Sequence, residues 1–264
     1  MEINNNDYTY FGKCIWCLRT DNETSFIEKP HTISKSLGGR NIGFDVCDDC
    51  NHYFGEPDES SFPRLTIEVC VKEVFNVSKL LFSKRDKNSW KNFKSLYFEY
   101  RHKKNTIIIK RDFRRNSLFS KTFTRQFKRG LYEYFLQEYH RVTKKGLSPE
   151  FDEVRSYARY GEGDLPVYYV TRRVGVYLLP ENFNHVEFYF SDDTLKNIEK
   201  YGFYNLYILG HNLYLEVTPR AREFRRYYLQ EEINRISSGI FESIIEVKDI
   251  NDIDFLLRKL FGEK

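Results

Sequence analysis

The sequence predicts an α+β protein with a small N-terminal module and a larger second domain built on an antiparallel sheet. Four of the five cysteines form two C-x-x-C pairs, at positions 14/17 and 47/50, in a stretch rich in Gly, Asn and Asp that suits a metal-centred unit better than a packed core. Beyond residue 161, short apolar runs alternate with turn-forming residues, as in antiparallel strands. We expect three parts: a zinc-containing module in 1–57, a helical and basic region in 58–160, and an α+β domain in 161–264.

Length and composition indicate a folded protein that does not enter a membrane. Of the 264 residues, 41% are hydrophobic and 30% are charged, which provides enough apolar surface for a core. The N-terminus lacks a basic segment followed by an apolar one, and no apolar run has the length that spans a bilayer. We therefore expect a cytoplasmic protein without membrane contact.

The middle region is predicted to be mainly helical. Apolar residues recur with helical spacing over residues 65–81, so one helix is expected there. Two strands are expected next, at 96–100 and 106–110, followed by a long helix over about 121–144.

The stretch from residue 84 to residue 145 is strongly basic. It contains 19 Lys or Arg residues and five Asp or Glu residues, whereas the whole chain has a net charge of +4. Such a concentration is typical of a surface that binds nucleic-acid phosphates, so we expect DNA as a partner; a solvated lysine-rich face is the alternative. On the long helix, one aromatic stripe is predicted from Phe123, Phe127, Leu131 and Tyr134 or Phe135. Four basic residues lie on other faces and are predicted to form an outward ridge that contacts the DNA backbone: Lys121, Arg125, Lys128 and Arg129.

Residues beyond 161 are predicted to form a strand-rich domain that ends in helices. His211 and Asn212 are interpreted as the tip of a hairpin. The predicted strands are 167–170, 175–179, 186–190, 205–209 and 213–217, and the predicted helices are about 220–236 and 253–261.

The two cysteine pairs predict a structural zinc site. Two C-x-x-C knuckles that approach each other supply four thiolates, which is the ligand set of a closed tetrahedral Zn²⁺ site. Two disulfides or four buried thiols are the alternatives; a reducing compartment disfavours the first and the paired spacing disfavours the second. The predicted zinc ligands are Cys14, Cys17, Cys47 and Cys50.

The segment between and after the cysteine pairs resembles the HNH (His-Me finger) endonuclease family, in its zinc-containing branch. The motif elements are Glu28-Lys-Pro-His31, Gly38-Gly39-Arg40-Asn41 and, directly after the last cysteine, Asn51-His52. With the cysteine pairs they cover about residues 13–55 in the order and spacing of the family pattern. The resemblance implies a ββα-metal fold, a hairpin followed by a helix around one divalent cation, and hydrolysis of DNA phosphodiester bonds in restriction or antiphage defence.

The resemblance also implies roles for individual residues. His31 takes the position of the general base that activates water, a task that suits a neutral imidazole. Asn41 takes that of the asparagine that holds the loop carrying the histidine, and Asn51 that of a ligand to Mg²⁺ or another divalent cation. Such a cation polarises the scissile phosphate.

The sequence departs from the family pattern at Pro30, where the family usually has a metal-binding carboxylate before the histidine. In a strand, side chains alternate between faces with a period of two, so Glu28 would lie on the same side as Pro30. Glu28 is therefore the candidate replacement ligand, and His52 is a further candidate for the catalytic cation or for a phosphate. Arg40, within the second motif element, is predicted to contact the DNA backbone; a solvated surface charge is the alternative.

Two other classes of function fit the sequence. One is a zinc-ribbon protein that binds nucleic acid without cleaving it, with His31 in a structural role. The other is a protein-interaction subunit of a defence complex, in which the aromatic residues after 160 contact a partner. A module with a single active site that cuts both strands would favour a homodimer.

Overall fold

The computed structural model describes residues 8–59, 61–83, 94–101, 103, 106–172, 186, 188–236 and 241–253. Within these ranges the chain forms seven α-helices: α1 (Asp48–Gly55), α2 (Ile67–Ser83), α3 (Arg111–Arg114), α4 (Ser117–Thr143), α5 (Asp152–Arg155), α6 (Asp192–Tyr201) and α7 (Arg220–Ile236). The strands in these ranges are β1 (Phe98–Arg101), β2 (Thr106–Ile109), β3 (Val167–Arg172), β4 (Phe203–Ile208), β5 (His211–Glu216) and β6 (Phe241–Glu246). The predicted mixture of helices and antiparallel sheet is confirmed.

Loops, a one-turn 3₁₀ helix (Lys35–Leu37) and helix α1 form the N-terminal part of the chain. Isolated antiparallel bridges join Lys13 to Thr20 and His31 to Ile42, and α1 begins directly after Cys47. The short bridges leave most of this segment without regular hydrogen-bonded structure. Its geometry therefore depends on the cysteine cluster and on contacts with the helices that follow.

Helix α4 is buried along most of its length. It begins where the Asn116 side chain accepts a hydrogen bond from the Phe119 N–H at 3.0 Å, and it ends at Lys144, whose φ of 60° is left-handed. Every residue from Gln126 to His140 is buried. The predicted aromatic stripe is thus buried, but so are the other faces of this helix, which is the pattern of a helix in the core rather than at the surface.

Close packing between α2 and α4 depends on a glycine. A Cβ atom at Gly130 would lie 2.1 Å from Cγ2 of Val71, a distance that no pair of carbon atoms tolerates. The absence of a side chain at position 130 therefore allows the two helix backbones to approach each other.

The main sheet has four antiparallel strands in the order β4-β5-β3-β6, and β1 pairs with β2 in a separate hairpin. The connection between β4 and β5 is the two-residue turn Leu209-Gly210, in which both residues have positive φ, as in a type I′ turn. The predicted hairpin tip at His211-Asn212 is therefore wrong by two residues, because these residues already pair with β4.

Three other predictions in the C-terminal half need correction or lie outside the described residues. Residues 186 and 188–190 are irregular rather than β-strand. Helix α6 and strand β6 were not predicted, although Ser191 caps α6 by accepting from the Thr194 N–H and Gly202 ends it at a φ of 76°. The predicted strand 175–179 and all of the predicted helix 253–261 beyond Ile253 lie outside the described residues.

One hydrophobic cluster contains buried residues from all three predicted parts of the chain. It includes Trp16 near the cysteines, Phe127 of α4 and Leu213 of β5. The division into three domains stays a prediction. No helix in the described ranges has the length and apolar character needed to cross a bilayer.

Candidate metal centre and catalytic site

The four predicted zinc ligands come together in one cluster. The Sγ atoms of Cys14, Cys17, Cys47 and Cys50 all lie within 4.8 Å of one another, and none of these cysteines forms a disulfide. Cys17 and Cys47 have an Sγ–Sγ distance of 3.6 Å, close to the roughly 3.8 Å that tetrahedral geometry imposes on thiolates about 2.3 Å from zinc. The donor set and its spacing fit a structural zinc ion.

Local backbone geometry builds the first cysteine knuckle. The Cys14 N–H donates to the Arg19 carbonyl at 2.8 Å, and the Leu18 N–H donates back to the Cys14 carbonyl at 3.0 Å. Leu18 has a positive φ of 60°, which turns the chain sharply after Cys17. The N–H groups of Trp16 and Cys47 both approach the Cys14 sulfur at 3.4 Å, the arrangement that stabilises a thiolate.

Two arginines from distant parts of the chain donate hydrogen bonds to the cysteine sulfurs. Arg19 Nε donates to Cys17 Sγ at 3.3 Å, and Arg159 Nε donates to Cys50 Sγ at 3.4 Å. Hydrogen bonds with Cys14 and with the other cluster thiols, and then with Arg19, lower the pKa of Cys17. Four thiolates around Zn²⁺ would carry a net charge of −2, which these two guanidinium groups would neutralise.

His31 lies in an isolated antiparallel bridge between the two cysteine pairs in the sequence. It pairs with Ile42, and the neighbouring bonds run from the Gly43 N–H to the Pro30 carbonyl at 2.8 Å and from the Thr32 N–H to the Asn41 carbonyl at 3.2 Å. Burial and then the positive charge of Lys35 lower the pKa of His31. The imidazole is therefore neutral at physiological pH, the state that a general base requires.

Glu28, Asn51 and His52 meet at the start of α1. Asn51 Nδ2 donates to Glu28 Oε2 at 3.0 Å, and His52 Nε2 lies 2.8 Å from Glu28 Oε1. The Asp48 carboxylate accepts from the N–H groups of Ile27 and Glu28, at 3.1 and 2.8 Å. The helix terminus thus fixes the backbone that carries Glu28.

Glu28, Asn51 and His52 do not by themselves form a complete set of charged metal ligands. Within the described residues, the four cysteines are the only group of three or more His, Cys, Asp or Glu side chains whose ligand atoms lie within 4.8 Å of one another. A cation at Glu28 would therefore also need the amide oxygen of Asn51, water or substrate oxygens, all of which Mg²⁺ accepts.

Sequence reasoning missed Glu138, a fully buried residue of α4. Its carboxylate accepts from Thr32 Oγ1 and, at 3.3 and 3.4 Å, from Asn41 Nδ2. It also pairs with Arg141 at 2.8 Å. Glu138 therefore connects both sides of the His31–Ile42 bridge to α4. One indication of this role was present in the sequence, because Glu138 is an acidic residue within an aromatic run of a basic segment.

The predicted DNA-contacting residues have different environments. Arg40 and Lys121 are exposed, and Arg125 donates to the carbonyls of Gly161 and Gly163. Lys128 is buried and pairs with Asp164 at 2.6 Å. The prediction that Lys128 belongs to an outward ridge is wrong, since the loop before β3 covers it.

Arg129 is the clearest exception to the predicted ridge. It is 1% exposed and forms an ion pair with buried Asp58. Its guanidinium also donates to Tyr53 Oη at 2.6 Å and to the Ala158 carbonyl at 3.1 Å. All of its polar contacts are within the protein, so Arg129 links α1, α4 and the segment after α5 rather than facing solvent.

Comparison with protein-family models, with curated proteins and with solved structures found no match for this chain.

Proposed function

We propose that this protein is a metal-dependent endonuclease that hydrolyses DNA phosphodiester bonds. The observation that supports this proposal most strongly is the contact of Glu28 with Asn51. The HNH resemblance assigns Asn51 of α1 to the cation. Because Glu28 contacts Asn51, its carboxylate would replace the ligand that is missing at Pro30. The proposal extends to Mg²⁺ or a similar ion as cofactor, and to a role in restriction or antiphage defence.

His31 acts as the general base. Its lowered pKa keeps the imidazole neutral, so a ring nitrogen is free to take a proton from water while the water oxygen attacks phosphorus. Bound at Glu28 and Asn51, a divalent cation would stabilise charge on the phosphate and on the departing 3′ oxygen. The Asn51 amide would rotate to present its oxygen, a change that needs no backbone movement.

Glu138 acts as a positioning residue in this proposal. It is fully buried and holds Thr32, which follows His31, and Asn41, which lies beside Ile42 on the other side of the bridge. Catalytic groups need placement within about 0.5 Å to be effective. The Glu138 carboxylate is buried on a long helix, so it can hold the backbone around His31 in place more precisely than an exposed loop contact could.

A DNA-cleavage assay distinguishes an endonuclease from a zinc-ribbon protein that only binds nucleic acid. Purified protein is incubated with supercoiled plasmid and Mg²⁺, Mn²⁺ or Ni²⁺, and His31→Ala is compared with Asn22→Ala, an exposed position in the same part of the chain. We expect metal-dependent nicking that His31→Ala abolishes and Asn22→Ala retains. Equal zinc content in all three proteins shows that the fold is intact. No nicking with any metal, or nicking that survives in His31→Ala, would overturn the proposal.

A further inference from the structure

An open groove of about 440 Å³ lies between the first half of α4 and the end of β6. We call it the α4–β6 groove. Its charged lining residues are Lys121, Arg125, Lys128, Asp164, Glu246 and Lys248.

The groove collects positive charge from two distant parts of the chain. Lys121, Arg125 and Lys128 are spaced by four and three residues, so they share one face of α4. Lys248 follows β6 on the opposite wall. With four basic and two acidic residues, the lining has an excess of two positive charges.

Internal contacts do not cancel this excess. Lys128 pairs with Asp164, but the acceptors of Arg125 are the uncharged carbonyls of Gly161 and Gly163 rather than a carboxylate. Lys121 and Lys248 are exposed, and within the described residues no ion pair involves either of them. Two ammonium groups and one guanidinium therefore remain for an anion beside the single carboxylate of Glu246, so the excess of two positive charges is kept.

The lining also indicates which kind of anion fits. The uncharged lining residues are Thr124 and Val247, so no aromatic ring is present on which a base could stack. Ammonium and guanidinium groups without a stacking surface suit phosphate oxygens rather than a nucleobase. The space is also polar and open, unlike an apolar pocket for a small organic ligand.

We propose that the α4–β6 groove binds phosphate groups, and that these are backbone phosphates of DNA. The inference rests on the proposed function for the choice of DNA, but it concerns binding rather than cleavage. The groove takes the place of the predicted ridge on α4 as the DNA-contacting surface. It excludes the buried Arg129 and adds Lys248, so a phosphate would lie between α4 and the end of β6 instead of along one helix. Contacts of this kind position a duplex without reading its sequence.

The test measures binding of the full chain in EDTA, so that cleavage plays no part. A short fluorescein-labelled duplex is titrated with wild type, with Lys121→Glu/Lys248→Glu, and with Lys196→Glu as a charge-reversal control on α6, where the side chain is 74% exposed. Each titration is repeated between about 50 and 200 mM NaCl. We expect the double variant to lose at least about tenfold in affinity and about two units of salt slope, and Lys196→Glu to match wild type.

A second arm identifies the source of the phosphate. Thermal stabilisation by pyrophosphate is measured for the same proteins. Weakened DNA binding in the double variant supports the groove with DNA as the source, whereas loss of pyrophosphate stabilisation with unchanged DNA binding supports it with a small phosphorylated ligand instead. If the double variant behaves like Lys196→Glu in both arms, the groove proposal is wrong. A protein that binds through the groove but nicks no plasmid would refute the nuclease proposal alone.

Discussion

The carboxylate of Glu28 accepts a hydrogen bond from the side-chain amide of Asn51, 3.0 Å away and 23 residues later in the chain. The contact joins the loop before Pro30 to the first turns of α1. In the proposed nuclease site, the Glu28 carboxylate would take the place of the metal ligand that the HNH pattern has at the position of Pro30.

Removing the Glu28 carboxylate should impair metal-dependent cleavage. We expect Glu28→Gln to lower plasmid nicking by more than about tenfold and to raise the Mn²⁺ concentration needed for half-maximal rate. Initial nicking rates across a metal titration measure both effects. Glu23→Gln, an exposed acid in the same part of the chain, is the control and should match wild type. An unchanged metal dependence in Glu28→Gln would assign the cation to other ligands.

The cysteine cluster should carry a stoichiometric zinc ion. Because a zinc ion would join the two cysteine knuckles of a segment with little regular secondary structure, we expect Cys47→Ser to lose zinc and to destabilise the protein by at least about 3 kcal/mol. Metal analysis and chemical unfolding measure these changes. Cys70→Ala is a matched control, since Cys70 is buried but outside the cluster, and it should keep its zinc. Full zinc content in Cys47→Ser would contradict the four-thiolate site.

The buried carboxylate of Glu138 should matter for both stability and catalysis. We expect Glu138→Ala to cost about 3–5 kcal/mol because Arg141, Thr32 and Asn41 lose their shared acceptor, and Glu138→Gln to cost about 1–3 kcal/mol. Urea unfolding measures the free energy of each variant. If Glu138 positions His31, Glu138→Gln should also reduce the cleavage rate with little change in DNA affinity, whereas exposed Glu150→Gln should change neither. A fully active Glu138→Gln would restrict this residue to a structural role.

The buried pair of Arg129 and Asp58 should be a stability element and not a DNA contact. Replacing Arg129 with Ala leaves an uncompensated carboxylate in the core, so we expect a loss of about 3–5 kcal/mol in the free energy of unfolding. Thermal or urea unfolding measures this loss, with Arg40→Ala as an exposed control. A stable Arg129→Ala protein with weakened DNA binding would instead restore the outward ridge.

Cleavage should persist at mildly acidic pH. His31 must be deprotonated to accept a proton, and burial together with Lys35 lowers its pKa below the usual 6.5. The rate should therefore rise with pH and level off with a midpoint below 6.5. Removing the positive charge in Lys35→Gln should move this midpoint to higher pH, while Lys13→Gln, an exposed lysine in the same part of the chain, should not. A pH–rate profile tests this, and a wild-type midpoint above 6.5 would argue against His31 as the base.

Much of the fold was predictable because it follows from local periodicity. The predicted helix 220–236 coincides with α7, and the long aromatic helix and the two strands before it appear near their predicted positions. The cysteine cluster was predictable for a similar reason, since each C-x-x-C spacing forms a local knuckle. Strand β6 was not predicted, because its position at the sheet edge depends on pairing with β3, more than 60 residues earlier.

The order of amino acids specifies which groups are present: four cysteines at metal-ligand spacing, a histidine with asparagines around it, and a concentrated basic segment. Which of these groups face one another depends on how distant segments pack together. Arg129 and Asp58 are 71 residues apart, and Thr32 and Glu138 are 106 residues apart. Helical periodicity tells which residues share a face but not what covers that face. Burial by distant segments therefore turned Arg129 from a predicted surface contact into part of the core and made Glu138 the anchor of the His31 bridge.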